Sequence, residues 1–279
     1  MENIGRTLWS AAAACGIVVL LATPARTADD SPWREDSHSA FRLIAGANKE
    51  DAPTVRAGIE IKLAPGWKTY WRYPGDSGMP PRFDFSGSEN LATAKVLYPA
   101  PHLFSDESGN SLGYKDNVTF PVQVTPKHPG KPVRLRVKLD YAICEKLCIP
   151  VEGSAELALA AGASAQDATL SAAEARVPAK VSAAQIGLTT RRVNNAFKPL
   201  VMVDLKAPPG TPVDIFVEGP TPDWALPIPK PAPGAPEGHQ QFGFELDGLP
   251  PGVDPKGQFV LTFTVLEGAR VIEVATHLD

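Results

Sequence analysis

The stretch VRLRVKLDYAICEKLCIP, residues 133–150, decides how this chain folds. Val133, Leu135, Val137, Leu139 and Tyr141 alternate with Arg134, Arg136, Lys138 and Asp140. A period of two is the mark of a half-buried β-strand, because successive side chains of a strand point to opposite faces. A second strand is expected from about Ile149 to Glu156-Leu157-Ala158-Leu159. Cys144 and Cys148 then fall where one strand gives way to the next, in a connection or a bulge and not in a helix.

The same style extends outward. RAGIEIKLA (56–64) alternates, Pro65-Gly66 turns, and Trp67-Lys68-Thr69-Tyr70-Trp71 resumes an extended pattern. YPGDSGMPPRFDFSGSEN (73–90) reads as loop, and Val118, Phe120, Val122 and Val124 alternate again. Beyond them, Leu200–Leu205, Val213–Val217, Phe242–Leu246, Phe259–Val265 and Val271–Val274 are strand candidates, with a Pro-rich loop at 219–238. The 29 prolines are about twice the average share. With 23 glycines and no long amphipathic helical pattern, they point to many short strands and turns. The expectation is an all-β chain of two tandem sandwiches. The first spans 26–162 and the second 181–279. An Ala/Ser-rich linker at 163–180 joins them, with a short helix at 167–175 ahead of Pro178.

Residues 1–25 read as a signal peptide: Arg6, an apolar run from Leu8 to Ala22, then small residues up to Ala25. Cys15 lies inside that run, so a processed chain keeps only Cys144 and Cys148, in a compartment where disulfides persist. The net charge of −4 gives no reason to expect nucleic acid or an anionic membrane as partner.

Two cysteines four apart admit three chemistries. A structural staple is the commonest use in secreted proteins, and would make this a non-catalytic periplasmic binding or copper-handling protein. Here it would constrain the unfolded chain by only ~2 kcal/mol, against almost ~5 kcal/mol for a loop near 100 residues. A tight ring is more easily reduced, which suits a redox couple. A metal site needs further ligands, and His38, His102, His128, His239 and His277 show no spacing tied to the pair. Copper-delivery proteins with a C-x3-C-P motif differ in that Ile149 here separates Cys148 from Pro150. No nucleophile elbow, zinc-protease motif or phosphate loop is present, and no cofactor is expected. Asp76, in Pro74-Gly75-Asp76-Ser77-Gly78, stands where a loop could present a functional carboxylate, but a turn or capping role is the commoner use of such a residue. No motif with chemistry stands in the second half.

YAICEKLCIP (141–150), GWKTYWRYPGDSGMPPRFDFSGSENLA (66–92), VLYPAPHLF (96–104) and LGYKDNVTFPVQV (112–124) occur in one order. Together they resemble the N-terminal periplasmic domain of the DsbD and ScsB thiol:disulfide interchange proteins, and the ScsB type more closely. The resemblance implies an immunoglobulin-like sandwich in the periplasm with its cysteines at one edge. It implies that the domain takes electrons from a thioredoxin-like donor and passes them to thioredoxin-fold proteins. Carried over, Cys148 forms the mixed disulfides and Cys144 resolves them. Phe104, in the stretch 102–107 that matches a cap loop, is implied as the shield of the cysteines, and Tyr70 as an aromatic beside them. Relatives continue into membrane helices where this sequence stops, so a separate membrane thiol reductase, or a free-standing shuttle role, is the expectation.

Overall fold

The computed structural model describes residues 28–106, 109–193 and 198–278. The expected leader and its Cys15 lie outside the described residues. The first sandwich is built from β1 (Arg34–Glu35), β2 (Ser39–Ala45), β3 (Val55–Leu63), β4 (Lys68–Gly75), β5 (Arg82–Asp84), β6 (Leu91–Val96), β7 (His102–Asp106), β8 (Gly109–Lys115), β9 (Asn117–Pro126), β10 (Val133–Cys144) and β11 (Cys148–Leu159). One sheet runs β1-β2-β3-β9-β6 and the other β11-β10-β4-β8-β7, with β5 also paired to β10. Phe41, Ile59 and Phe120 from the first sheet meet Trp71, Leu135 and Tyr141 from the second. Burying each such side chain contributes about 1.5–3 kcal/mol.

The strand expected at 133–141 runs on to Cys144, because Ile143 keeps the alternation and enters the same core. Its hairpin with β11 is unbroken from Val133↔Leu159 to Cys144↔Cys148. On the outer face Arg134 and Arg136 pair with Glu156, and Lys138 pairs with Glu152. The outer residues then change from charged to small and apolar, at Ala142 and Cys144.

The segment expected as a joint carries helix α1 (Asp167–Glu174). The helix lies on the first sandwich, with Leu170 fully buried over Gly46 and Gly58. A Cβ at Gly46 would stand 2.7 Å from Leu170, so helix and sheet approach as closely as they do because the glycine has no side chain. Arg56 binds Asp167 at 2.6 Å and Glu174 at 2.7 Å.

The second sandwich follows: β12 (Ala179–Lys180), α2 (Ala183–Ile186), β13 (Thr189–Val193), β14 (Leu200–Leu205), β15 (Val213–Glu218), β16 (Lys230–Ala232), β17 (Gln240–Glu245), β18 (Phe259–Glu267) and β19 (Arg270–Leu278). Its sheets run β12-β19-β18-β15 and β13-β14-β17-β16, around Val201, Phe242, Phe263 and Val274. β16 arises inside the Pro-rich stretch read as loop. It is an edge strand, where a proline costs no ladder bond.

Candidate functional site

Alternation along β10 builds the site. Tyr141 and Ile143 point into the sandwich, so Ala142 and Cys144 point out of it. Glu145, Lys146 and Leu147 make the turn between the two strands. Cys144 and Cys148, the last pair of the hairpin, are joined by a disulfide.

The two sulfurs differ in surroundings. Cys144 is 2 % exposed, whereas Cys148 is exposed, as is the whole turn before it. Leu147 at the tip is 78 % exposed. Cys144 is covered by Tyr70, Ala142 and the partly buried Met79. The Tyr70 hydroxyl donates to Cys144 Sγ at 2.8 Å and lies 3.4 Å from Cys148 Sγ. Burial, and then the nearby Asp106 carboxylate, push the Tyr70 phenol above its ordinary value, so it remains a neutral donor at neutral pH.

Tyr70 is itself held from above. The loop after β4 lays Gly78 on its ring, so closely that a Cβ there would stand 2.3 Å from the ring. Gly78 has a φ of +124°, which disfavours any other residue. Asp76 pins the same loop: its carboxylate accepts from the Asn110 amide at 2.9 Å, and its own amide donates to the Asn110 carbonyl at 2.9 Å. Asp76 thus has the turn-forming place expected of it.

Cys144 faces Lys68 across β4. The Lys68 ammonium donates to Asp106 at 2.8 Å and to Ser111 at 3.0 Å. Phe104 is placed differently from the expected shield. The stretch 102–106 is edge strand β7, separated from β10 by β8 and β4, and Glu107 lies outside the described residues. Phe104 is registered with Ser111, and its ring lies 5.5 Å from the Lys68 ammonium instead of joining the cluster around Cys144. The covering residues are Tyr70 and Met79, and Phe104 touches the site through Lys68.

Chemically, the arrangement offers one sulfur to solvent and holds the other beneath a hydrogen-bond donor. The sulfur open to a solvent-borne thiolate is that of Cys148, and the sulfur bonded to it, that of Cys144, is the one to which Tyr70 donates. Among the described residues no group of three or more His, Cys, Asp or Glu side chains is gathered for a metal ion. None of the helices among them is long and apolar enough to cross a membrane.

Residues 36–160 match the family model described as "Thiol:disulfide interchange protein DsbD, N-terminal". Among solved structures, the N-terminal periplasmic domain of ScsB from Proteus mirabilis matches with a TM-score of 0.72 at 23% identity, over 91% of this chain and 99% of that one. At that identity the likeness establishes the fold, including the second sandwich. A marsupial T cell receptor matches at a TM-score of 0.21 and 9% identity, too distant to inform the reading. No curated protein matches the chain.

Proposed function

We propose, from the premise that residues 36–160 belong to the DsbD N-terminal family, that Cys144 and Cys148 form a reversible dithiol–disulfide couple passing electrons between two protein partners. The observation that carries this reading is the asymmetry of the pair. Cys148 is open at a hairpin tip, and Cys144 is buried under the Tyr70 hydroxyl.

The couple is loaded when a donor thiolate attacks Cys148 Sγ. The Cys144–Cys148 bond breaks, a donor–Cys148 disulfide forms, and Cys144 leaves as a thiolate that accepts the Tyr70 hydrogen bond. The donor's second thiol, once deprotonated, attacks its own sulfur in the mixed disulfide and releases Cys148. Two electrons have then moved to this chain and the donor is left as a disulfide. Unloading runs the same steps toward an acceptor: the Cys148 thiolate attacks the acceptor disulfide, and Cys144 attacks Cys148 to close the ring and release the acceptor dithiol. The donor we propose is a separate membrane thiol reductase. The acceptors are thioredoxin-fold proteins, and the compartment is the periplasm, where the ScsB relative resides.

Trapping tests this. Reduced Cys144→Ser, incubated with an oxidised thioredoxin-fold protein, accumulates a one-to-one mixed disulfide through Cys148. Cys148→Ser forms none, because its remaining sulfur is buried. Non-reducing electrophoresis reads the outcome. Equal trapping by both variants, or by neither while both stay folded, would contradict the assignment.

A further inference from the structure

The pairing of β4 with β8 is interrupted after Tyr70 by a bulge. Lys68, Thr69 and Tyr70 are in register with β8, and the next registered pair is Gly75 with Ser111. The ladder to β10 uses only Lys68 and Thr69. Residues 71–74 thus have no registered partner in either ladder.

The second sandwich holds this stretch instead. Trp71 lies against Phe216 of β15, ring centroids 6.3 Å apart, and Phe216 is buried in the first sandwich's core. Arg72 donates from Nε and Nη2 to Glu218 at 2.9 and 2.7 Å, and Nη2 also reaches Glu273 at 2.5 Å. The Tyr73 hydroxyl donates to the Leu226 carbonyl. Side-chain exposures of 27% for Arg72, 18% for Glu218 and 13% for Glu273 place this triad among partly desolvated pairs, where breaking one partner is costly. These three consecutive anchors begin one residue after Tyr70. They end just before the Gly75–Met79 loop that covers it.

We infer that Arg72 is a positioning residue of the exchange site, through which the second sandwich fixes where Tyr70 presents its hydroxyl to Cys144. The inference rests on the proposed exchange at this disulfide. It explains what the second sandwich contributes, since that sandwich holds the side chains of the bulged stretch that follows Tyr70. A hydroxyl at the end of a long side chain amplifies small tilts of its strand, and a misplacement of about 1 Å at a reacting group can cost ~100-fold in rate. An ion triad that merely clamps two sandwiches would instead affect stability alone.

The test is a double-mutant cycle on the full chain. Reduction of the oxidised protein by dithiothreitol at neutral pH is followed by thiol release, with thermal melting recorded alongside. Tyr70→Phe slows reduction about tenfold, the size of a lost hydrogen bond to a charged group. Arg72→Met slows it in the same direction, and adding Arg72→Met to Tyr70→Phe changes the rate less than about twofold, as expected of residues acting through one contact. Glu218→Gln, made in the second sandwich, slows reduction too, and this variant decides the matter if Arg72→Met fails to fold. A lower melting temperature at the wild-type rate would overturn the inference, as would independent, multiplicative slowing by Arg72→Met and Tyr70→Phe. A wild-type disulfide that dithiothreitol leaves intact would overturn the exchange reading itself, a failure seen before any variant is compared.

Discussion

Cys144 and Cys148 are chemically identical and differ only in what surrounds them. Their spacing was legible in the sequence, and so was their place between two strands. The division of labour proposed for them came from resemblance, and what supports it in the geometry is that one sulfur is exposed and the other lies under Tyr70. Lys68, Gly78 and Met79 were not legible as site residues. Lys68 meets Cys144 through cross-strand register, which residue types alone do not encode. Gly78 looked like one turn glycine among several, yet it is the flat surface on which the Tyr70 ring rests. Gly78→Ala would place a methyl group inside the ring's contact distance at a φ of +124°. The expected result is a loss of roughly 1–3 kcal/mol in denaturant unfolding. In the reduced protein, alkylation of Cys144 should quicken while that of Cys148 is unchanged, as read by mass spectrometry. An unchanged Cys144 rate would mean that the loop is not its cover.

At the scale of elements, the hairpin was the most legible feature, because strict alternation and a buried face fix its register. Strands β5, β6, β7 and β16 were harder. β6, Leu91–Val96, is half-exposed and lacks alternation. β7 resembles a cap loop in sequence yet pairs along β8 as an edge strand. This is why Phe104, expected over the cysteines, is found against Lys68. The helix at 167–174 was expected as part of a joint, but nothing in its own sequence announces that Leu170 and Arg56 bind it to the first sandwich. That docking depends on Gly46 and Gly58, more than 100 residues earlier.

At the scale of the whole molecule, two sandwiches were legible from strand spacing, but their contact was not. Arg72 and Glu218 are 146 residues apart, and no local pattern links them. Two of the phenols, Tyr73 on the Leu226 carbonyl and Tyr98 beside Arg72, bear on the same contact. All five tyrosines have a raised phenol pKa, each chiefly through burial, with Tyr73 and Tyr98 pushed up to about 12. The folded state therefore holds these protons more tightly than the unfolded chain does. The resulting stability is fully present below the unfolded tyrosine pKa near ~10 and is lost as pH rises from there toward about 12. Tyrosinate absorbance should accordingly appear together with unfolding above pH ~10 and not as a separate early titration. Tyrosines that ionise near ~10 in a fully folded protein would contradict the burial described. The central claim, that the Cys144–Cys148 bond is a working redox couple, is tested most directly by its reduction potential, measured by equilibrating the protein with glutathione or dithiothreitol buffers and trapping free thiols. The account predicts a value within roughly −120 to −270 mV, the range of exchange proteins. A value below about −300 mV would mark a structural disulfide and contradict it.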